Sequence, residues 1–350
     1  MKRYFLLSLC MLVLAMGKAQ RVIVVKQGDA ESLLAAIQEA NDENADKDSK
    51  RLYILIPNGY YDLGEKVLTQ LSGHNIALVG ESIDGTIIRN APPKEKEGIS
   101  KTAVLQNRGT GNYLQDLTLR NDLDYYNAGF AGRGVALHDK GDKTICNRVR
   151  MLSYQDTYYS DNNLSQRYMQ ESEIHGTVDF ICGDGDVWFE RCRIVTEMRK
   201  PDGSGRCVIA APKTSKTQWG YIFNHCTIEN IVSHFEYARG WNGTPHCIML
   251  YTTLLNPELI NPTRFDYRGM RTIQNDFKEY GTMDREGRDI TPKTNVVTFE
   301  LNDERNPVET ILTAEEAQRY DVKSVFGNWD PQRELRQIEK KAKKLKRKLR

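Results

Sequence analysis

The chain has no long apolar run beyond its first residues, and it has few features that indicate a bound metal. After the N-terminus, no apolar stretch reaches the roughly eighteen residues that a membrane-spanning helix needs. The cysteines form no CxxC pair and the 6 histidines are scattered, so a zinc site has little support. A net charge of +2 argues neither for nor against an anionic partner. We therefore expect no transmembrane segment in the body of the protein and no metal site.

The N-terminus differs from the rest of the chain. Lys2-Arg3 precedes an apolar stretch over residues 5–16, and Gly17-Lys18-Ala19 follows it. This pattern predicts a secretory signal peptide over residues 1–19. We expect the mature protein to begin at Gln20 and to be exported, to the periplasm or the extracellular space.

Six cysteines remain after the predicted cleavage site, an even number that an oxidising compartment would allow to pair. Cys192 and Cys226, however, occupy equivalent apolar positions in a repeated pattern. Small buried side chains stacked in a column explain this placement without disulfides. We expect most of the cysteines to be unpaired.

The repeated pattern spans seven residues. It has two apolar or aromatic residues, then Asn, Gln or Glu, any residue, an apolar or small residue, any residue and an apolar one. Its starts are 32, 23, 20 and 34 residues apart. A constant core with variable spacing is typical of a solenoid whose loops vary, so the sequence predicts an all-β fold, a right-handed parallel β-helix. The alternative, a β-sandwich, would favour hairpins with tight Asn-Gly turns, and these are scarce. The copies begin at Tyr113, Ile145, Tyr168, Trp188 and Ile222.

Helices are expected at both ends of the solenoid. Apolar residues at helical spacing predict a short capping helix over residues 29–41, with Asp29 or Ser32 as its N-cap. The β-helix domain is expected over residues 20–330. Residues 331–350 form a strongly basic tail whose apolar positions have helical spacing.

The basic tail has two interpretations. A solvated, partly frayed helix is the commoner state of such a segment. The alternative is a helix that docks on an acidic polysaccharide or an anionic envelope surface.

Two acidic segments carry the clearest chemical signal, Tyr154-Gln155-Asp156-Thr157 and Gly176-Thr177-Val178-Asp179-Phe180. Their acids are 23 residues apart, about one coil of a solenoid, so we expect them roughly 5 Å apart at strand spacing. Two carboxylates that close cannot easily both ionise, and one becomes a proton donor while the other stays an anion. Gln155 could supply an amide donor and Arg239 a fixed cation. The acid paired with arginine should have the lower pKa.

These segments and their order resemble the signature segments of the pectin methylesterases (pectinesterases), of the secreted bacterial type. The resemblance covers roughly residues 21–329 and is densest over residues 114–254. The matching segments are Ile56-Pro57-Asn58-Gly59-Tyr60-Tyr61, Leu78-Val79-Gly80-Glu81, Gly134-Val135-Ala136-Leu137, the two acidic segments and Tyr237-Ala238-Arg239-Gly240-Trp241.

The resemblance implies a carboxylic ester hydrolase that removes methyl esters from galacturonate residues of pectin and releases methanol, without metal or organic cofactor. Asp179 would be the nucleophile that forms an acyl-enzyme, and Asp156 the general acid that later becomes the general base. Arg239 would bridge to Asp179. Phe180 and Trp241 would stack on sugar rings, although Phe180 could equally fill the core. Tyr159 also falls at a family position, and a structural role is favoured for it.

Arg133 departs from the family pattern, because a glutamine that helps to bind the oxyanion usually stands there. Three roles stay open: Arg133 donates to the oxyanion, binds a neighbouring substrate carboxylate, or points away. A branched, rhamnogalacturonan-type pectin is therefore as reasonable a substrate as plain homogalacturonan. The alternatives to the esterase are a carbohydrate-binding β-helix with a degenerate site and another pectin-active enzyme, a lyase or polygalacturonase. We expect a monomer whose partner is pectin and not a nucleic acid.

Overall fold

The computed structural model describes residues 21–128, 132–231 and 234–349. The predicted signal peptide, residues 1–19, lies outside the described residues. Within them, no helix is long and apolar enough to cross a membrane.

Most of the chain forms short strands. The first thirteen are β1 (Val22–Val24), β2 (Leu52–Ile56), β3 (Gly59–Asp62), β4 (Thr69–Leu71), β5 (Ile76–Gly80), β6 (Thr86–Asn90), β7 (Leu105–Asn107), β8 (Tyr113–Asn121), β9 (Leu137–Asp139), β10 (Thr144–Leu152), β11 (Tyr158–Ser160), β12 (Gln166–Gln170) and β13 (Glu173–Gly176). The second thirteen are β14 (Val178–Gly183), β15 (Asp186–Glu190), β16 (Arg193–Thr196), β17 (Cys207–Pro212), β18 (Tyr221–Asn224), β19 (Thr227–Asn230), β20 (Phe235–Ala238), β21 (His246–Leu250), β22 (Thr253–Leu254), β23 (Asp276–Tyr280), β24 (Met283–Asp284), β25 (Val296–Leu301) and β26 (Glu304–Glu309).

The helices lie near the two ends of the chain. The α-helices are α1 (Ala30–Glu43), α2 (Ala314–Ala317), α3 (Val322–Phe326) and α4 (Pro331–Leu345), and the 3₁₀ helices are Lys94–Lys96, Pro257–Leu259 and Lys346–Leu349.

Strands β1 to β24 wind into a right-handed parallel β-helix, which confirms the predicted fold class. Sheet A contains β1, β2, β5, β8, β10, β12, β15, β18, β21 and β23, and sheet B contains β3, β6, β8, β10, β13, β16, β19, β22 and β24. The nine-residue strands β8 and β10 cross both sheets. Sheet C has seven strands, β4, β7, β9, β11, β14, β17 and β20.

The seven-residue pattern is in register from coil to coil, as its repetition predicts. Its first residues pair in the order Tyr113, Ile145, Tyr168, Trp188, Ile222 along sheet A. The fourth position, which tolerates any residue, forms the corner between sheets A and B with a left-handed backbone. The fourth residues are Asp116, Arg148, Glu171, Arg191 and His225, with φ between 49° and 54°.

A helix covers the N-terminal end of the solenoid, and an antiparallel hairpin lies near its C-terminal end. At the N-terminal end, α1 begins after Asp29, whose side chain accepts a hydrogen bond from the Ser32 amide at 3.0 Å. The buried face of α1 closes the core, as the sequence predicts. Near the C-terminal end, β25 and β26 form an antiparallel hairpin around Asn302 and Asp303, which both have positive φ. Capping of this kind protects strand edges and the apolar core.

The six described cysteines are all buried and free. Cys192 and Cys226 directly precede the paired residues Arg193 and Thr227, so they occupy the same inward position in consecutive coils. This matches the expected column of small apolar side chains.

The basic tail is packed against the β-helix, which corrects the expectation of a solvated, frayed helix. Helix α4 buries Leu335, Ile338, Ala342 and Leu345 against the outer face of sheet A. That face is itself apolar, because the first residue of each repeat points outward there. Salt bridges add to the packing, such as Arg51 with Glu334 at 2.7 Å.

Truncating the buried face of α4 should destabilise the protein. In Ile338→Ala we expect a loss of about 2–5 kcal/mol of unfolding free energy, because the cavity removes contacts with sheet A. The measurement is the denaturant midpoint, together with the rate of proteolysis within the tail. The control is Gln337→Ala, which changes the exposed neighbour. Equal midpoints in the two variants would contradict the packing role.

Candidate active site

Asp156 and Asp179 occupy equivalent positions on successive coils of sheet C. Tyr158 pairs with Ile181 in the ladder between β11 and β14, and each acid lies two residues before its member of that pair. Neighbouring strands are about 4.8 Å apart, so the register brings the two carboxylates into one site. Both residues are almost fully buried, at 4% and 6% exposed.

The backbone at both acids is left-handed, with φ of 60° at Asp156 and 52° at Asp179. At Asp179 the ladder between β14 and β17 also shifts register, which marks a bulge. Bulges re-aim a side chain, and strained backbone of this kind clusters at functional sites. Gly176 is needed for the same turn, since a Cβ there would lie 2.2 Å from the Phe180 Cβ and 2.5 Å from the Tyr154 carbonyl oxygen.

Arg239 binds the Asp179 carboxylate in a bidentate contact. Its Nε donates to Asp179 Oδ1 at 2.8 Å and its Nη2 to Oδ2 at 2.5 Å. The Arg239 amide in turn donates to the Ala210 carbonyl at 3.0 Å, which anchors the residue at the end of β20. A planar two-point contact fixes the orientation of both carboxylate oxygens, which a lysine could not do.

The two acids have different environments. Burial, and next the negative charge of Asp179, raise the pKa of Asp156 well above its ordinary value. The raised pKa favours the protonated form of Asp156, which lies beside the Asp179 carboxylate in its two-point contact with Arg239.

Two small residues lie on sheet C between Arg239 and Asp179. In sheet C, Cys182 pairs with Tyr159 on one side and with Ala211 on the other. Ala210 pairs with Ala238, so the next residues, Ala211 and Arg239, lie side by side. Arg239 therefore reaches Asp179 across two short side chains. Cys182 and Ala211 form the floor of the cleft, and the sequence prediction did not include them.

The cleft above this floor has a volume of about 230 Å³. It brings together six of the eight side chains that were predicted for the site, and it adds four others. The predicted ones are Arg133, Gln155, Asp156, Asp179, Arg239 and Trp241, and the additional ones are Ile99, Cys182, Ala211 and Met270.

Phe180 does not line the cleft, and its predicted stacking on a sugar ring is corrected here. Its side chain is fully buried in the core. The left-handed backbone at Asp179 and the register shift beside it interrupt the alternation of side chains, so Phe180 and Ile181 both lie in the core while Asp179 lines the cleft.

Tyr159 also lies outside the cleft lining. Its ring stacks on His138 at 4.6 Å, with the ring of Trp241 6.1 Å away. His138 is held by Gln106 and by Asp161, each at 3.0 Å. Tyr159 is thus packed between His138 and Trp241 and stays partly exposed.

Arg133 lines the cleft but is paired with Glu97, a residue that the sequence reasoning missed. Its Nε donates to Glu97 Oε1 at 2.5 Å and its Nη2 to Oε2 at 3.1 Å. The Arg133 hydrogen bonds lower the pKa of Glu97, so this acid is an anion. Arg133 therefore shares its charge with Glu97. Of the two charges, that of Arg133 lowers the pKa of Asp156 and that of Glu97 raises it.

The donor set of the cleft consists of carboxyl, amide and guanidinium groups. Across the described parts of the chain, no group of three His, Cys, Asp or Glu side chains is arranged to hold a metal ion. The arrangement supports attack by a fixed carboxylate beside a protonated acid.

Comparison with known proteins relates the sequence to one protein family. The pectinesterase family model matches residues 21–264. A probable pectinesterase 30 of Arabidopsis thaliana is 32% identical over 211 residues, which are 59% of this chain and 40% of the relative. A probable pectinesterase A of Aspergillus flavus is 29% identical over 217 residues, 59% of this chain and 63% of the relative. The chain thus spans about two fifths of the length of the first of these relatives and less than two thirds of the second.

Solved structures show the same fold. A pectin methylesterase from carrot has a TM-score of 0.68 at 20% identity, covering 89% of this chain and 95% of that one. A pectin methylesterase from Erwinia chrysanthemi has a TM-score of 0.66 at 21% identity, covering 89% and 98%. Since the family model extends over more than half of the sequence, this chain belongs to the pectinesterase family.

Proposed function

We propose that this protein hydrolyses the methyl esters of galacturonate residues in pectin through an acyl-enzyme on Asp179. One observation carries the proposal: two carboxyl groups share a site, one bound at both oxygens by Arg239 and the other buried, with its pKa raised by that burial. A pectin methylesterase of the same fold forms a complex with a hexasaccharide, which supports a sugar chain as the ligand.

In the first half of the reaction, an Asp179 oxygen attacks the carbonyl carbon of the ester. Negative charge develops on the carbonyl oxygen, where the Gln155 amide is placed to donate. Asp156 gives its proton to the methoxy oxygen as the bond to carbon breaks, and methanol leaves. The C6 carbonyl is then joined to Asp179 in an anhydride.

The second half uses the same groups in reverse. Asp156, now a carboxylate, takes a proton from water, and the resulting hydroxide equivalent attacks the C6 carbonyl. The anhydride breaks, Asp179 leaves as a carboxylate and the C6 group is first formed as the carboxylic acid, which loses its proton to solvent and is released as galacturonate. Asp156 is again protonated, so atoms and charges balance over the cycle.

Arg133 acts in this proposal through its charge. Glu97 binds Nε and Nη2 of Arg133, so Arg133 tunes Asp156 and lines the cleft, and its Nη1 hydrogens are not used by that pair. Trp241 remains the aromatic surface that can stack on a sugar ring.

The two alternatives have less support. Both acids and their arginine are in place, so the site is not degenerate in its reactive groups. Arg239 is bound to Asp179, so it is not free to abstract a proton as a lyase would require.

Finer features stay part of the proposal. We infer an exported monomer, periplasmic or extracellular and of the secreted bacterial type, acting on homogalacturonan or on a branched rhamnogalacturonan-type pectin. The relatives reported above come from a plant and a fungus.

Replacing the nucleophile should abolish activity. In Asp179→Asn we expect methanol release from methyl-esterified pectin to fall at least about a thousandfold, since the amide cannot form the anhydride. The assay is methanol release across several pectins, including branched ones. The control is Asp202→Asn, an exposed aspartate that does not line the cleft. Undiminished release by Asp179→Asn would refute the acyl-enzyme.

The shape of the Arg239 contact should matter beyond its charge. Arg239→Lys keeps the cation but loses the two-point grip, so we expect kcat/KM to fall about a hundredfold through misplacement of Asp179. The matched control is Arg89→Lys, because Arg89 binds Asp62 and Asp122 at 2.9 and 2.7 Å away from the cleft. Similar losses in both variants would argue against a positioning role.

The Arg133–Glu97 pair should set the pH profile. The alkaline limb of kcat/KM reports loss of the Asp156 proton. Glu97→Gln removes a negative charge that raises the pKa of Asp156, so the limb should move to lower pH. Arg133→Gln removes a positive charge that lowers it, so the limb should move to higher pH.

The double variant Glu97→Gln with Arg133→Gln is the control for this pH experiment. It removes both charges, so its limb should lie between those of the single variants. Profiles that do not move, or that move in the same direction in both single variants, would exclude this electrostatic role.

A further inference from the structure

A basic groove runs along the outer side of the molecule, away from the cleft. It lies between α4 with its 3₁₀ extension and the corner of sheets A and B, and its volume is about 750 Å³. It is lined by six cationic and two acidic side chains. The cationic residues that define it are Arg148, Arg336, Lys340, Lys343, Lys346 and Arg347.

Two of these cations are already paired. Arg148 binds Asp116 at 2.6 Å and Glu339 at 2.7 Å, and Lys346 also binds Asp116. Both acids of the groove are therefore neutralised by contacts that hold α4 against the β-helix. The charge that remains in the groove is positive.

The other four cations form a stripe on one face. Arg336, Lys340, Lys343 and Arg347 are exposed and spaced four, three and four residues apart, so they span about 16 Å along the helix axis. Within the described chain, none of the four takes part in a salt bridge. Because α4 is fixed by buried residues and ion pairs, the backbone that carries the stripe is preorganised, and binding costs only the conformational freedom of the four side chains.

We propose that this groove binds a polycarboxylate sugar chain, the de-esterified galacturonan that the reaction in the cleft produces. This inference rests on the proposed function for the identity of the anion. Esterified galacturonate is neutral, whereas each hydrolysed residue carries a carboxylate that suits one cation of the stripe. The groove lies outside sheet A and the cleft lies on sheet C, so the two sites can be occupied together.

Other polyanions fit the groove less well. Insertion into a lipid surface needs an exposed apolar face, and that of α4 is buried against sheet A. Binding of single-stranded nucleic acid relies on aromatic platforms, and no aromatic side chain lines the described groove.

The test compares two variants with equal loss of charge. The groove variant changes Arg336, Lys340, Lys343 and Arg347 to Gln, and the control variant changes the exposed Lys26, Lys47, Lys216 and Lys293 to Gln. Affinity for polygalacturonate is measured by calorimetry at low and moderate salt. We expect the groove variant to bind at least about tenfold more weakly, with a smaller salt dependence, and the control to bind nearly as the wild type does.

Further measurements separate this inference from the proposed function. Methanol release from a short methyl-esterified oligogalacturonide should be unchanged in both variants, because they leave the cleft intact. Absence of methanol release by the wild type would count against the proposed function alone. Failure of the wild type to bind polygalacturonate, or unchanged binding by the groove variant, would overturn the groove proposal.

Two more outcomes would also overturn it. One is an equal loss in the control variant, which would show an effect of net charge only. The other is loss of binding to phosphatidylserine vesicles or to duplex DNA while polygalacturonate binding stays intact, which would assign the groove to a different anion.

Discussion

The parallel register between successive coils is the constraint on which the rest of this structure depends. A slip of one residue in the regular part of β14 would exchange its two faces, sending Ile181 to the cleft and Cys182 into the core, and would move Asp179 out of register with Asp156. The core resists such a slip because inward side chains stack in columns, as Phe189 does on Phe223 at 4.5 Å with nearly parallel rings. Because the acids lie one coil apart and Arg239 two coils beyond Asp179, the same columns that stabilise the solenoid also set the geometry of the site.

Covering the outer face of sheet A gives the molecule two separate working surfaces. Helix α4 and the segment before it bury apolar residues that the solenoid would otherwise expose. In doing so they carry a row of cations to the corner of sheets A and B, while sheet C stays open for the cleft. The basic tail is therefore part of the folded body, and its charge is held in a fixed place.

Much of the fold and of the reactive centre could be predicted from the sequence, because both depend on periodicity. The repeat starting at Tyr113 and Ile145 reports strands in register, and the 23-residue interval reports two acids on adjacent coils. The remaining features depend on contacts that no local pattern contains. Glu97 is 36 residues before Arg133 in a loop, and nothing near it in the sequence marks it as the partner.

The sequence left Phe180 between a sugar contact and the core, and the left-handed backbone at Asp179 that decides its direction has no local signature. The covered face of sheet A, in contrast, had a signal in the sequence. The outward first residues of the repeat, such as Tyr168 and Trp188, are apolar where a solvated face would be polar. That departure indicates a covered surface, and the amphipathic tail was the segment that could cover it.

In the proposed reaction, the charges of the cleft favour binding of the neutral methyl ester and release of the anionic carboxylate product. Asp179 is balanced by Arg239, Glu97 is balanced by Arg133, and the raised pKa of Asp156 favours its neutral form, so the charges of the resting cleft are matched and suit a neutral methyl ester. Hydrolysis adds a carboxylate beside the Asp179 anion, and like charges at this distance repel strongly in a buried site. The outer groove has the opposite balance, with unpaired cations and neutralised acids. The two surfaces thus complement two chemical states of one polymer: the cleft the esterified chain, and the groove the chain after the ester is gone.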